Sequence, residues 1–115
     1  MSVSEPSRGD VWDISFDPTL GHEQAGLRPA LIVSVDLFNT GPAELVVAIP
    51  ITRTARRVRW HVQVNPPEGG LVSESFVQCE NVRSVSKVRL KRLRGRVSAG
   101  TMWEVEGRLR ILLGL

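Results

Sequence analysis

The segment EQAGLRPALIVS, residues Glu23–Ser34, joins a polar turn to a hydrophobic run. Its apolar residues, 30–33, do not alternate with polar ones, which is typical of a strand buried on both faces. Arg28 stands directly before Pro29, and proline biases the preceding residue toward extended backbone. The sequence therefore predicts a central strand with an arginine at its entrance.

Further short segments carry strand patterns. They cover residues 10–16, 44–51, 60–64, 75–86 and 88–97. In the first, Trp12, Ile14 and Phe16 share one face by strict alternation. In the last, the alternation slips at Lys91–Arg92, which predicts a bulge. Many short strands separated by turns favour a small barrel over a sandwich.

The last segment changes to a helical period. Its apolar residues recur every three to four positions: Met102, Val105, Leu109 and Leu112. Thr101 and Glu104 have the spacing of a capping box, and Gly114 follows the last apolar position. We therefore expect a mainly β fold, a small barrel with a C-terminal α-helix.

Length and composition narrow the class of protein. The chain has 115 residues, 42% of them hydrophobic and 23% charged, which fits one globular domain over 1–115 with a loose tail at 1–7. No apolar run approaches the roughly 20 residues of a membrane span. The first ten residues are polar and lack an export signal. With a single cysteine, Cys79, no internal disulfide can form. These features predict a cytoplasmic protein.

Charge is distributed unevenly along the chain. Residues 1–50 carry two basic and seven acidic side chains, whereas residues 51–96 carry eleven basic and three acidic ones. Thirteen of the fifteen cations are arginines. Such a block favours a phosphate-rich partner, although an ordinary solvated basic face would look the same.

Candidate chemistry centres on two strand ends. His22 and His61 are isolated, so no metal site or cofactor is expected, and Cys79 lies in a strand-like run typical of a core. Thr52 closes the strand 44–51, and Arg28 opens the central strand. If both ends meet at one rim, a hydroxyl and a guanidinium could hold the same phosphate. Alternatively, Arg28 pairs with a nearby carboxylate, Glu23 or Asp17.

The chain resembles the MazF/PemK family of messenger-RNA endonuclease toxins from type II toxin–antitoxin modules. The resemblance lies in GDVWDISFDPTLGHEQAGLRPALIVS, VVAIPIT, CENVRSVSKVRL and MWEVEGRLRILLGL. It implies an SH3-like barrel of the CcdB/PemK type that acts as a homodimer. It also implies sequence-specific, metal-independent cleavage of single-stranded RNA by the ribose 2′-hydroxyl, and inhibition by an acidic, MazE-like antitoxin.

By this resemblance, Arg28 and Thr52 are the catalytic pair. The residues implied to bind RNA are Phe16, Glu23, Gln24, Arg53, Ser75, Glu80, Asn81 and Arg83. Phe16 could stack a base or simply pack in the core. Two departures from the family stand out: Leu27 replaces a histidine found in some members, and the cluster Arg56, Arg57 and Arg59 is unusually rich in arginine.

Two alternatives from other functional classes stay open. One is the gyrase-poisoning toxin of the same fold, which acts by binding protein through the C-terminal residues of its last helix. The apolar end ILLGL, residues 111–115, suggests core packing instead. The other is a catalytically inert RNA- or protein-binding barrel, against which the presence of both Arg28 and Thr52 counts.

Overall fold

The computed structural model describes residues 5–16, 27–56 and 58–115. The strands of this part of the chain are β1 (Asp10–Ser15), β2 (Leu27–Ile32), β3 (Leu45–Thr52), β4 (His61–Val64), β5 (Ser75–Gln78), β6 (Arg83–Ser86) and β7 (Leu90–Arg96). The helices are α1 (Asp36–Asn39) and α2 (Ala99–Leu113). Short 3₁₀ turns occupy Glu68–Gly70, Cys79–Asn81 and Lys87–Arg89. Neither described helix is long and apolar enough to cross a membrane.

The strands form one antiparallel sheet in the order β4-β5-β3-β2-β1-β7, with β6 also paired to β3. The long strand β3 is the pivot, because Leu45–Ala48 pair with β6 whereas Ile51 and Thr52 pair with β5. The predicted mainly β fold with a C-terminal helix is confirmed. The segment 75–86 is two strands separated by a 3₁₀ turn, and the described edge strands β4 and β7 do not pair to close the sheet.

Two irregularities interrupt the pairing of β1 with β7. Val11 faces Gly95 but Trp12 faces Leu93, so Arg94 is an extra residue on β7. Lys91 is skipped in the same way one step further along. The predicted bulge at Lys91–Arg92 is therefore confirmed, and a second one lies at Arg94. Because a bulge redirects side chains locally, the bulge at Arg94 explains how this residue of the edge strand β7 reaches the cleft described below.

Hydrophobic clusters cover both faces of the sheet. On one face the core contains Val11, Leu31 and Ile49, packed under α2. On the other it contains Trp12, Ile14, Ala30, Ile32, Val46, Ala48 and Val85. Successive residues of β1, β2 and β3 thus enter opposite clusters, which explains why β2 and β3 read as continuous apolar runs.

Cys79 belongs to the cluster under α2 and is fully buried, as the sequence predicted. Burial raises the pKa of its thiol to about 11. A thiol that stays protonated under physiological conditions is a poor nucleophile. Cys79 is therefore a packing residue.

The helix α2 begins earlier than its sequence pattern indicates. Ser98 is the N-cap, and its Oγ accepts a hydrogen bond from Thr101 N at 3.1 Å. The predicted capping box of Thr101 and Glu104 is therefore wrong, because the Thr101 hydroxyl donates to Glu68 and Glu104 pairs with Arg108. The predicted apolar face is confirmed where Val105 is buried and Met102 and Leu109 pack beside it. Gly114 ends the helix in the left-handed conformation, with a φ of 73°.

The C-terminal end of the chain differs from its expected packing. Ile111, Leu113 and Leu115 are 69%, 55% and 83% exposed, and Leu112 is only partly buried. Three of the four apolar side chains after Leu109 therefore lie largely in solvent. The expectation that ILLGL packs in the core is therefore wrong for the isolated chain.

The described part of the N-terminal segment, Glu5–Ser7, contacts the domain. Pro6 is buried, and Ser7 N donates to Asp10 Oδ2 at 2.8 Å. Glu5 Oε1 lies 2.8 Å from Lys87 Nζ. These residues fall within the stretch expected to be a loose tail, and they are held against the first strand and the 3₁₀ turn before β7.

Glu68 fixes the start of α2 from a neighbouring turn, and replacing it tests this role. Partial burial raises the pKa of its carboxyl, but hydrogen bonds from Ser98 N and from the Thr101 and Ser98 side chains lower it more, so the net pKa lies below the ordinary 4.5. Since the folded-state pKa is lowered, this carboxylate stabilises the protein above about pH 4.5 and ceases to as the pH falls through the folded value. We expect Glu68→Gln to lower the free energy of unfolding by about 1 kcal/mol at pH 7.

Urea denaturation of both proteins between pH 3 and 7 provides the measurement. The difference between wild type and Glu68→Gln should shrink at the acid end. An equal difference at every pH would show that the Glu68 charge does not stabilise the helix start.

Candidate active site

An open cleft of about 850 Å³ lies where β2 begins and β3 ends. It is lined by Leu27–Pro29, Ile51–Thr54, Leu71–Ser75 and Arg94. Four segments that are distant in the sequence thus meet around one space. The volume falls in the range of ligand-binding clefts.

The pairing of β2 with β3 explains why Arg28 and Thr52 meet. Ala30 lies opposite Pro50, Leu31 opposite Ile49 and Ile32 opposite Ala48. Continuing this register by two residues sets Arg28 across from Thr52. Opposite residues of an antiparallel pair project to the same face of the sheet. The two residues that the sequence singled out accordingly line the same cleft.

The Thr52 hydroxyl has a defined orientation. Its Oγ1 accepts a hydrogen bond from Thr54 N at 3.1 Å. Because the oxygen is held as an acceptor, its O–H remains available to donate into the cleft. Arg28 is exposed there and can offer a planar set of N–H donors. Together they provide uncharged and charged donors suited to one phosphate group.

Arg94 is a cleft residue that the sequence did not single out. Its Nη1 donates to Asp13 Oδ1 and its Nη2 to the Gly70 carbonyl, both at 3.1 Å. Arg92 Nε also lies 3.3 Å from Asp13 Oδ2, so two guanidinium groups face one buried carboxylate. The negative charge of Asp13 is therefore outnumbered by the two guanidinium groups beside it. In the sequence, Arg94 stands out only as a member of the basic stretch 51–96. Its place in the cleft depends on the bulge in β7.

Glycines hold the wall of the cleft against β7. Gly70 has a φ of +68°, and a Cβ there would lie 2.1 Å from the Arg94 carbonyl oxygen. Gly95 also lies close to the backbone, since its Cβ would lie 2.8 Å from Gly70 N. Only glycine allows the backbone at Gly70 to come this close to the backbone of β7. The position of the next residues, Leu71–Ser75, which form one wall of the cleft, depends on this contact.

Ser75 belongs to this wall but is buried. It is 2% exposed, and its hydroxyl donates to the Ser73 carbonyl at 2.8 Å. Arg53, another predicted RNA-binding residue, is exposed and lines the cleft. Both residues share the cleft with Arg28 and Thr52: Ser75 supports the wall, and Arg53 is an exposed cation.

Phe16 and Arg83 form a second feature, outside the cleft lining. The Arg83 guanidinium carbon lies 4.5 Å from the centroid of the Phe16 ring, a cation–π contact. Phe16 is half-buried and packs against the cluster around Ile14. The two roles considered for Phe16 are thus compatible, because one face of the ring can pack while an edge or the stacked arginine stays accessible.

Glu80 and Asn81 lie on the 3₁₀ turn after β5 and do not line the cleft. Glu80 Oε2 is 2.9 Å from Nε2 of His61, whose side chain is 3% exposed. The expectation that His61 is an ordinary strand residue holds, with Glu80 as its partner. Asn81 is exposed on the same turn.

Some predicted residues fall in the undescribed segments. Glu23 and Gln24 lie outside the described residues, as do His22, Asp17 and Arg57. Within residues 5–16, 27–56 and 58–115, no group of three or more His, Cys, Asp or Glu side chains could hold a metal ion. The described lining of the cleft combines arginines and hydroxyl groups with apolar side chains and one carboxylate, Glu74.

Comparison with known proteins agrees with this geometry. A family model described as PemK-like, MazF-like toxin of type II toxin–antitoxin system matches residues 7–113. The chain is 32% identical to Endoribonuclease MazF9 of Mycobacterium tuberculosis, across 94% of this chain and 96% of the relative. It is 37% identical to Endoribonuclease PemK of Escherichia coli, across 96% of this chain and 84% of the relative.

The fold has solved counterparts as well. A mycobacterial endoribonuclease in complex with its cognate antitoxin superposes with a TM-score of 0.79 at 29% identity, covering 96% of each chain. Sequence and structure therefore agree over nearly the whole length of the chain. The protein belongs to the PemK-like, MazF-like family of toxins of type II toxin–antitoxin systems.

Proposed function

We propose that this toxin is a sequence-specific endoribonuclease that cleaves single-stranded messenger RNA in the cytoplasm, as a homodimer and without a metal ion. The observation that carries the proposal is the position of Arg28 and Thr52 across one cleft. Two relatives that span most of this chain are named endoribonucleases, which supports the same activity.

The proposed reaction is an internal transfer at phosphorus. The ribose 2′-oxygen attacks the adjacent phosphate and loses its proton, while the bond to the 5′-oxygen breaks and that oxygen takes up a proton. The products are a 2′,3′-cyclic phosphate and a 5′-hydroxyl. Negative charge increases on the non-bridging oxygens in the transition state, and Arg28 donates to them there.

The two residues have different tasks in this scheme. A guanidinium stays protonated, so Arg28 acts as a donor and not as a base. Thr52 orients the phosphate or the 2′-hydroxyl through its own O–H, since Thr54 N already holds its oxygen. Leu27 has no proton to offer, so any proton donor at that position in other members is absent here.

The remaining predicted residues would bind and select the RNA. Arg53 is suited to a neighbouring phosphate, and Arg83 with Phe16 to a base or a more distant phosphate. We also propose RNA contacts for Glu23, Gln24, Ser75, Glu80 and Asn81. Ser75 would act through the loop it supports, because its side chain is buried.

The proposed partner is an acidic antitoxin segment. Exposed arginines at and near the cleft, such as Arg53, Arg56 and Arg83, would attract carboxylates in the same way as phosphates. A solved relative is in complex with its cognate antitoxin, which supports a partner of this kind. A disordered acidic tail would fold as it binds.

One observation favours a second candidate, the gyrase-binding function. The exposed Ile111, Leu113 and Leu115 at the C-terminus could contact another protein. This removes the argument from core packing against that candidate. The Arg28–Thr52 cleft still favours RNA cleavage.

The test is incubation of the purified protein with long mixed-sequence RNA in EDTA, followed by mapping of the new 5′ ends. We expect discrete cuts that share a short motif and carry 5′-hydroxyl and cyclic phosphate ends. Intact RNA, together with inhibition of gyrase by the same preparation, would replace the nuclease by the second candidate. Cutting that requires added Mg²⁺ would overturn the metal-independent chemistry.

A further inference from the structure

Arg94 lines the cleft but has no part in the reaction described above. Its side chain, at the bulge of β7, is 17% exposed. Nη1 donates to Asp13 Oδ1 and Nη2 donates to the Gly70 carbonyl, each at 3.1 Å. A guanidinium has five N–H donors, two of them on each of these nitrogens. Contacts within the described chain therefore fix the guanidinium in place and leave a second N–H on each Nη without an acceptor.

Asp13 is shared with a second arginine, Arg92, whose surroundings differ from those of Arg94. Arg92 Nε lies 3.3 Å from Asp13 Oδ2, but its side chain is 69% exposed and does not line the cleft. Two guanidinium groups beside one carboxylate leave one net positive charge. The arginine that faces the cleft is also the less solvated of the two. A partly desolvated cation attracts an anion more strongly than a cation surrounded by water does.

The contacts of Arg94 do not satisfy its guanidinium fully. Its Nε is buried and has no hydrogen-bond partner among the described residues. Most buried polar side-chain atoms in proteins are paired, so an arginine that served only as a structural ion pair would be expected to use this donor. The incomplete pairing favours a ligand of the cleft as the reason for an arginine at this position.

The strand order places Arg94 in a row with the two other arginines of the cleft. The strands run β3, β2, β1, β7, so Arg28 on β2 lies between Arg53, which follows β3, and Arg94 on β7. Adjacent strands are about 5 Å apart, which puts β7 about 10 Å from β2. An RNA strand that crosses these strands presents successive phosphates along the row. Arg28 can then face the phosphate that reacts, with a flanking phosphate on either side.

One carboxylate, Glu74, also belongs to the described lining of the cleft. It accepts a hydrogen bond from Nε2 of Gln63 on β4, the edge strand at the far end of the sheet from β7. This contact holds the carboxylate on the side of the cleft away from Arg94. Three arginines against one carboxylate leave the described lining positive, which favours an anionic ligand.

We propose that Arg94 is a phosphate-binding residue that holds the RNA phosphate flanking the reacting one on the β7 side, and that Asp13 is the positioning residue that orients it. The inference rests on the nuclease of the proposed function and adds a residue pair to its binding site. Because the guanidinium is fixed before RNA arrives, less conformational entropy is lost on binding. A phosphate outside the reacting group is held equally in ground state and transition state, so Arg94→Ala should raise KM and leave kcat unchanged.

RNA binding tests Arg94 against Arg92. The probe is fluorescein-labelled, single-stranded RNA of mixed sequence with fluorine in place of every 2′-hydroxyl, which keeps the phosphates but removes the attacking group. We expect Arg94→Ala to raise the Kd about tenfold or more and to reduce the slope of log Kd against log salt concentration by about 0.7. Arg92→Ala removes the same charge beside the same carboxylate, and it should change the Kd less than about threefold.

The sign of its effect on the Kd tests Asp13. By charge alone, removing a carboxylate beside the cleft should tighten the binding of RNA. If Asp13 positions Arg94, Asp13→Ala should instead raise the Kd about threefold or more, because the guanidinium must then be ordered on binding. Asp13→Asn keeps a side-chain oxygen that can accept from Nη1, and it should bind the probe at least as tightly as wild type does.

The outcomes separate this site from the nuclease. Circular dichroism verifies that each variant is folded, and Arg94→Gln, which keeps N–H donors for Asp13 and Gly70, replaces Arg94→Ala if the latter unfolds. Equal Kd values for the Arg94 and Arg92 variants overturn the phosphate site, as does a wild type that does not bind the probe. Tighter binding by Asp13→Ala overturns the positioning role. Cleavage of unmodified RNA is measured separately, so a wild type that binds as expected but does not cut overturns the nuclease and leaves the Arg94 contact in place.

Discussion

Replacing Arg28 by alanine should lower the rate of RNA cleavage by about 10²–10³-fold, because it removes the charged donor that faces the developing negative charge. The residue is exposed at the start of β2, so its truncation should change the free energy of unfolding by less than about 0.5 kcal/mol. Single-turnover cleavage of an RNA that contains the mapped motif measures the chemical step. Arg28→Lys should stay strongly impaired, since a lysine keeps the charge but loses the planar set of donors.

Thr52 and Arg53 supply the comparison. Thr52→Val removes the hydroxyl while preserving the shape of the side chain, and we expect its cleavage rate to fall nearly as far as that of Arg28→Ala. Arg53→Ala removes a neighbouring arginine of the same cleft. It should mainly raise KM and reduce the salt dependence of binding, because a phosphate contact outside the reacting group contributes equally to ground state and transition state. If Arg53→Ala and Arg28→Ala had the same effect on the single-turnover rate, Arg28 would be one more phosphate contact and not a catalytic residue.

Local signals in the sequence place Arg28 and Thr52 at two strand ends, whereas their catalytic roles were predicted from the family resemblance. Pro29 indicates an extended Arg28, and the run VVAIPIT places Thr52 at a strand end. Their meeting then follows from the antiparallel pairing of the two apolar strands, in which Ala30 lies opposite Pro50 and Leu31 opposite Ile49. The same reasoning explains why the strands and the apolar face of α2 were predictable. The spacing of apolar residues along a strand or helix predicts which side chains are buried.

Other parts of the site depend on contacts between distant segments. Arg94 reaches the cleft through a bulge on β7, and Asp13 on β1 holds it there. The helix start was misplaced because the carboxylate of Glu68, thirty residues before Ser98, accepts hydrogen bonds from Ser98 N and from the Thr101 hydroxyl. Neither contact leaves a periodic signal. The exposure of the apolar C-terminal residues could not be predicted from the sequence either. The pattern of apolar residues is the same whether they pack in the chain's own core or lie on its surface.

A change at Gly70 should have the largest effect on the fold that surrounds the site. Alanine there would have a φ of +68° and a Cβ 2.1 Å from the Arg94 carbonyl oxygen, a backbone atom with little freedom to move. Backbone strain and overpacking together should lower the free energy of unfolding by about 2–5 kcal/mol. Chemical denaturation provides the measurement, and the cleavage rate should also fall because the wall Leu71–Ser75 follows directly.

The matched control for this change is Gly100→Ala, in the first turn of α2. Its Cβ would lie 3.7 Å from Ser98 Oγ, an ordinary contact, and alanine favours the helix more than glycine does. It should therefore unfold at the same or a slightly higher denaturant concentration than wild type. Equal stability of Gly70→Ala and Gly100→Ala would mean that the wall can move away from β7 at little cost. The approach of Gly70 to β7 would then not be what fixes the wall beside Arg28 and Thr52, and other contacts would have to hold the cleft in place.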